Sequence, residues 1–296
     1  METRRGRDVY VTGIILAAVS ATAFGTLAIF AKLAYRHGAE TIPLLAGRFA
    51  VAALLLVVYN RVRGASLRID RRQVIRLSLL GGIGYAFESA LYFAALGKAS
   101  AAVVGLIFYS YPMWTSMAAI ATGLERFHPR LLVALVLATV GILLIFSLPS
   151  EGLAGPLLAL AAAFAVTVYY LFAQVFVRGV DAGIAATYTA VGAAVTLAGV
   201  SLATGAGLPA GALPHAAALG LVTAIAFVCL YGAVVRIGSA KTSITHMLEP
   251  VTTVVLAAWI LGDDITSRVA IGAVFIVSAL PILAVRGKQK IPVADG

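Results

Sequence analysis

The sequence predicts an all-α integral membrane protein: ten transmembrane helices arranged as two inverted five-helix repeats, with both termini cytoplasmic. Three observations predict it. Of 296 residues, 61% are hydrophobic and only 11% charged, with a mean hydropathy of +1.02, whereas soluble domains carry about a quarter charged residues. Apolar runs of about twenty residues, the length a helix needs to cross a bilayer, recur along the chain. A pattern in the first half also returns in the second.

The chain opens with Arg4, Arg5 and Arg7 ahead of an apolar run. That is the charge order of a signal peptide, but the run is too long and many others follow, so it reads as a first span kept in the mature protein. The spans fall at 10–34, 41–60, 74–96, 100–121, 129–148, 153–176, 184–204, 214–236, 241–261 and 267–286. The polar insert 60–76 holds Arg61, Arg63, Arg68, Arg71, Arg72 and Arg76 and reads as a loop. With the N-terminus inside, seventeen Lys and Arg lie on the cytoplasmic side, against Arg36, Lys98 and Arg268 on the other. The positive-inside rule then places both termini of this multi-pass protein in the cytoplasm.

The net charge of +10 would point to nucleic acid in a soluble protein. Here the cations sit between apolar runs and set topology instead, so no nucleic-acid partner is expected. Cys229 stands alone, which excludes an internal disulfide and offers no metal cluster. No cofactor motif is present. Two cations fall inside spans: Lys32, near the outer end of the first, reads as snorkelling, while Arg48 is read equally as a structural partner or a substrate group.

Span nine is the least comfortable helix. It carries His246, Glu249 and Pro250, although proline costs about 3 kcal/mol in a helix interior and a mid-membrane charge about 2.5–3.5 kcal/mol. Thr242, His246, Glu249 and Thr253 recur at i, i+4, i+7 and i+11, one stripe that must face protein or water. Pro250 has no amide hydrogen, so the His246 carbonyl is expected to be a free acceptor.

The repeat is specific in spacing. Leu80-Gly81 precedes Leu91-Tyr92 as Leu219-Gly220 precedes Leu230-Tyr231, and Tyr111-Pro112 stands where Glu249-Pro250 stands later. Residues 1–148 and 149–296 therefore read as two five-helix repeats within one membrane domain. Five is odd, so the halves are inverted. Inverted repeats commonly place a substrate site at the midplane, lined by interrupted helices, here spans four and nine with breaks at Pro112 and Pro250.

The ten-span layout, the duplication, Phe24-Gly25, Arg48 and the proline ahead of a Gly-acidic turn in each half (Gly123-Leu124-Glu125 and Gly262-Asp263) resemble the EamA-type members of the drug/metabolite transporter superfamily. Within it, the aromatic interior is most similar to the YddG-like amino acid exporters. That resemblance implies export of amino acids, aromatic or other small amphiphilic metabolites, across the cell inner membrane by alternating access. The first half departs from the family's usual Glu-Pro with Tyr111-Pro112.

The candidate substrate-binding residues are Tyr85, Glu88, Tyr92, Phe108, Tyr111, Trp114, Tyr231, His246 and Glu249. Gly81, Tyr85, Glu88 and Tyr92 share one face of span three, and Phe227 replaces Glu88 in the repeat. Glu88 either meets substrate or a proton, or bonds a neighbouring helix. Glu249 either holds an ammonium, exchanges a proton, or bonds groups freed at the break. His246 titrates or makes one structural hydrogen bond. The aromatics Phe108, Tyr109, Tyr111, Trp114, Tyr169, Tyr170, Tyr92 and Tyr231 line a pocket or pack. Gly81-Gly82-x-Gly84 lies within a helix and is read as close packing, not a phosphate loop, and Asp263-Asp264 as a capping turn.

The expected partners are a small-molecule substrate, protons and the lipid bilayer, with a monomer compatible. No Walker motif appears, so ATP is not the direct energy source. Efflux of drugs or quaternary amines is the rival reading. An intramembrane enzyme is a remote one, since no Ser/His or paired-Asp constellation is found.

Overall fold

The computed structural model describes residues 2–96, 98, 101–145, 152–261 and 266–284. Among them every regular element is helical: α1 (Glu2–Gly25), α2 (Leu27–Arg36), α3 (Thr41–Val62), α4 (Arg71–Leu79), α5 (Ala86–Leu96), α6 (Ala101–Phe108), α7 (Tyr111–Ala121), α8 (Pro129–Ile145), α9 (Ala154–Phe176), α10 (Ala182–Thr204), α11 (Leu213–Thr245), α12 (Leu248–Leu256) and α13 (Ser267–Ala284). A π-turn, Leu80–Tyr85, joins α4 to α5, and a second, Ala257–Leu261, follows α12. Six stretches are long and apolar enough to cross a membrane: Asp8–Arg36, Thr41–Val62, Arg71–Tyr92, Ala154–Phe176, Ala182–Thr204 and Ala210–Thr245. Shorter apolar helices cover Pro129–Ile145, Leu248–Ile260 and Ser267–Leu283.

Helix ends follow local chemistry. Asp181 caps α10 by accepting from the amides of Gly183 (2.8 Å) and Ile184 (3.2 Å), which satisfies two donors that the first turn leaves open. Gly205, at φ 68°, closes its other end.

The helices pack in pairs. α1 lies along α11, α3 against α10 and α11, α5 against α9, and α8 against α13. Small residues set the approach, as in membrane interfaces generally. A Cβ on Gly81 would stand 1.9 Å from the Thr189 carbonyl oxygen, and one on Gly192 2.0 Å from that of Ser78, so the glycine run of the π-turn is a packing surface against α10. Gly220 meets Val51 and the Arg48 carbonyl where α11 crosses α3.

The arginine-rich segments gather at one end of the bundle, called the basic end here. There Asn60 donates to the Gly183 carbonyl (3.1 Å) and Thr187 (2.9 Å), while Arg63 pairs with Asp181. Burial alone would raise the Asp181 carboxyl, but the Arg63 hydrogen bonds and the two cap amides outweigh it and hold the group below the usual carboxylate range.

Asp263 and Asp264, and the side chain of Lys32, lie outside what the structure describes.

Candidate functional site

Two helix breaks face one another across the bundle. α6 stops at Phe108 and α7 starts at Tyr111, with a turn through Tyr109 and Ser110; α11 stops at Thr245 and α12 starts at Leu248, with a turn through His246 and Met247. Pro112 is therefore the second residue of α7 and Pro250 the third of α12. In a first turn a missing amide hydrogen costs no intrahelical bond. The sequence reading expects spans four and nine to be interrupted at the prolines themselves; the breaks lie just ahead of them, and each proline sits in the first turn of the helix that follows. The expected free carbonyl is also corrected, because the Glu249 amide donates to the His246 oxygen at 2.9 Å. A third bend is supplied by Gly238, at φ 83° inside α11, a conformation that glycine alone adopts without strain.

The breaks open a cavity of about 370 Å³, within the size range of small-molecule sites. Of the residues singled out from sequence, Tyr85, Glu88, Tyr92, Phe108, Tyr111, His246 and Glu249 line it. Trp114 and Tyr231 do not. The Trp114 indole donates to Ser110 (3.1 Å) and packs on Phe164. Tyr231 is buried behind the wall, bonded to Tyr169 and Thr189 at 2.8 Å each. Its neighbour Leu230 takes the lining position, because successive helical residues point about 100° apart.

The polar stripes survive in part. Three of the four residues of each, Tyr85, Glu88 and Tyr92 on one side and His246, Glu249 and Thr253 on the other, reach the cavity. Gly81 instead meets α10, and Thr242 is buried with its hydroxyl on the Gly238 carbonyl. Ser89 donates to the Glu88 carboxylate at 3.1 Å, and the Tyr109 hydroxyl donates to that of Glu249. His246 is 2% exposed, sits against Phe24 and Tyr170, and its Nε2 has no hydrogen-bond partner. Tyr111 stacks on Tyr170 with ring centres 5.7 Å apart.

The family model for EamA-like transporters matches residues 11–147 and again 153–285. The chain belongs to the EamA-like transporter family. An uncharacterized transporter of Bacillus subtilis (strain 168), YyaM, is 26% identical over 270 residues, covering 83% of this chain and 85% of that one. A solved crystal structure matches with a TM-score of 0.78 over 92% of this chain and 98% of its own, at 20% identity, a likeness of fold. Membership of this family makes the chain a multi-pass membrane transporter with a small-molecule substrate.

Sequence reasoning did not commit to the cavity's cation. Arg48 of α3 is 4% exposed and lines the cavity. Its Nε donates to Thr223 (2.6 Å) and its Nη2 to the Tyr85 hydroxyl (3.3 Å), while its guanidinium lies over Phe49 at 4.8 Å. A charge inside an apolar span was the signal; its direction depended on neighbours the sequence does not name. Nor was the seal at the basic end foreseen. There the Glu125 carboxylate accepts from the Ala240 amide (2.8 Å) and lies 3.5 Å from Lys241, while Gln174 accepts from the Ser239 amide (2.7 Å). A Cβ on Gly238 would meet Glu125 at 2.4 Å. At the opposite end the cavity runs out to Leu44 and to the exposed Tyr35.

Among the described residues no three His, Cys, Asp or Glu side chains gather as a metal site requires.

Proposed function

We propose that the chain exports amino acids, aromatic or other small amphiphilic metabolites, across the inner membrane by alternating access, without direct use of ATP, in the manner of the YddG-like exporters it resembles. One observation carries this reading: two carboxylates, Glu88 and Glu249, face a cavity formed where two broken helices meet, sealed at the basic end and reaching an exposed residue at the other. Ten spans in two inverted repeats, 1–148 and 149–296, fit the packing. Exchanging each span with its counterpart five later turns the α5–α9 pair into the α11–α1 pair, and Gly81 on α10 into Gly220 on α3, while the α3–α10 and α8–α13 pairs map onto themselves. The two family matches divide the chain near the same place. With cytoplasmic termini, as the cation count requires, the seal faces the cytoplasm and the cavity faces out.

The aromatic walls and two carboxylates also suit a quaternary amine. That is the second reading. Liposome flux of labelled amino acids and of a quaternary amine, with and without a pH gradient, separates the two and reads proton coupling. Glu249→Gln and Glu88→Gln are expected to alter flux in folded protein; unchanged flux in both removes the carboxylates from the mechanism.

A further inference from the structure

Arg48 sits in the cavity wall with an incomplete set of partners. A guanidinium carries five N–H donors, and the protein engages the Nε and one Nη2 hydrogen, both on neutral hydroxyls. Among the described residues no carboxylate lies within ion-pairing distance of it. A buried charge left in that condition is costly, and natural proteins pair it or use it. Two acids, Glu88 and Glu249, line the same cavity within electrostatic range of Arg48 and hold their own neutral partners, Ser89 and Tyr109. The packing around Arg48 also fixes its aim. Gly220 admits α11 against the Arg48 backbone, Thr223 holds Nε, and Phe49 covers one face of the guanidinium.

We infer that the cavity selects zwitterions: Arg48 takes the carboxylate of the substrate in its open donor fork, and Glu249 with Glu88 takes the ammonium. This rests on the transport reading above and narrows it to molecules carrying both charges close together, as a free α-amino acid does. A zwitterion supplies each wall with the charge it lacks, and its side chain faces the aromatic remainder of the cavity. The planar fork of arginine matches a carboxylate in two hydrogen bonds. A simple amine or quaternary cation satisfies the acids but leaves the guanidinium unpaired and is repelled by it.

The test is flux through full-length protein in liposomes, above protein-free controls, of labelled phenylalanine, phenylalaninamide and hydrocinnamate. The first has both charges; each of the others lacks one. Phenylalanine is expected to exceed either analogue by at least about tenfold, the value of one charge-assisted hydrogen bond. Arg48→Gln is expected to bring the phenylalanine-to-amide ratio close to one, with Arg48→Lys between. Wild-type protein that moves the amide as fast as phenylalanine overturns the inference while leaving transport standing, and this comparison needs no variant to fold. A folded Arg48→Gln that keeps the wild-type ratio overturns it too. If none of the three probes moves, nor any other amino acid, the transport reading falls and the inference falls with it.

Discussion

Replacing Glu125 by Ala tests whether the basic-end seal is a gate. The carboxylate is 6% exposed, accepts from the Ala240 amide at 2.8 Å, and lies 3.5 Å from the Lys241 ammonium. It also sits at the start of the helical turn that follows Gly238, where an anion is favoured by the open amides. Removing it leaves a buried amide unpaired and Lys241 without its partner, a loss of about 2 kcal/mol to the sealed state. In the state opened at that end these groups are hydrated and lose little, so the ratio of opened to sealed molecules rises about 30-fold. The readout is a cysteine beneath the seal. Ser243→Cys, at a fully buried position, in a Cys229→Ser background, is reached by a polar maleimide only when the basic end opens. Its labelling rate is expected to rise about 30-fold with Glu125→Ala. A native elution profile with a labelling rate changed less than about threefold would falsify the gate assignment, since 30-fold is what the lost contacts require.

The glycine run offers a contrast within three residues. Gly81→Ala drives a Cβ to 1.9 Å from a backbone oxygen, whereas Gly84→Ala makes ordinary contacts with the Tyr169 ring edge at 3.5 Å and Leu80 at 3.8 Å. The first is expected to cost about 3 kcal/mol or more and the second under about 0.5 kcal/mol; equal thermal midpoints in detergent would contradict the packing role. Asp181→Asn removes the Arg63 pair, whose members are 31% and 42% exposed, so the loss at neutral pH is at most about 1 kcal/mol. Because the folded Asp181 pKa is lowered, its contribution is present above the unfolded value of about 3.9 and disappears as pH falls through the lower folded value. The gap between wild type and variant should therefore close below about pH 4, and a gap independent of pH would assign the effect to something other than the charge.

Much of the site was legible as pattern. Tyr85, Glu88 and Tyr92 share a stripe that composition forbids to face lipid, and the structure turns that stripe into the cavity. Tyr231 shows the limit of such reasoning. By spacing it is the counterpart of Tyr92, yet it lies behind the wall with its hydroxyl on Tyr169 and Thr189, and the adjacent Leu230 lines the cavity instead. The prolines marked the right helices but not the mechanism of the breaks, since whether a proline interrupts a helix or starts one depends on where the preceding segment ends.

Composition and periodicity by themselves determined that this chain is helical and lies in a membrane. Each of those follows from the cost of taking polar backbone and charge out of water, which every residue meets independently of its distant neighbours. Only the tertiary structure decided which charges share a cavity and which seal an end. Arg48 needs Thr223, 175 residues away, to fix its aim, and Glu125 needs the Ala240 amide, 115 residues away, to close the bundle. Such pairings arise from how glycines let helices approach, a property of two surfaces in contact that a single strip of sequence does not contain.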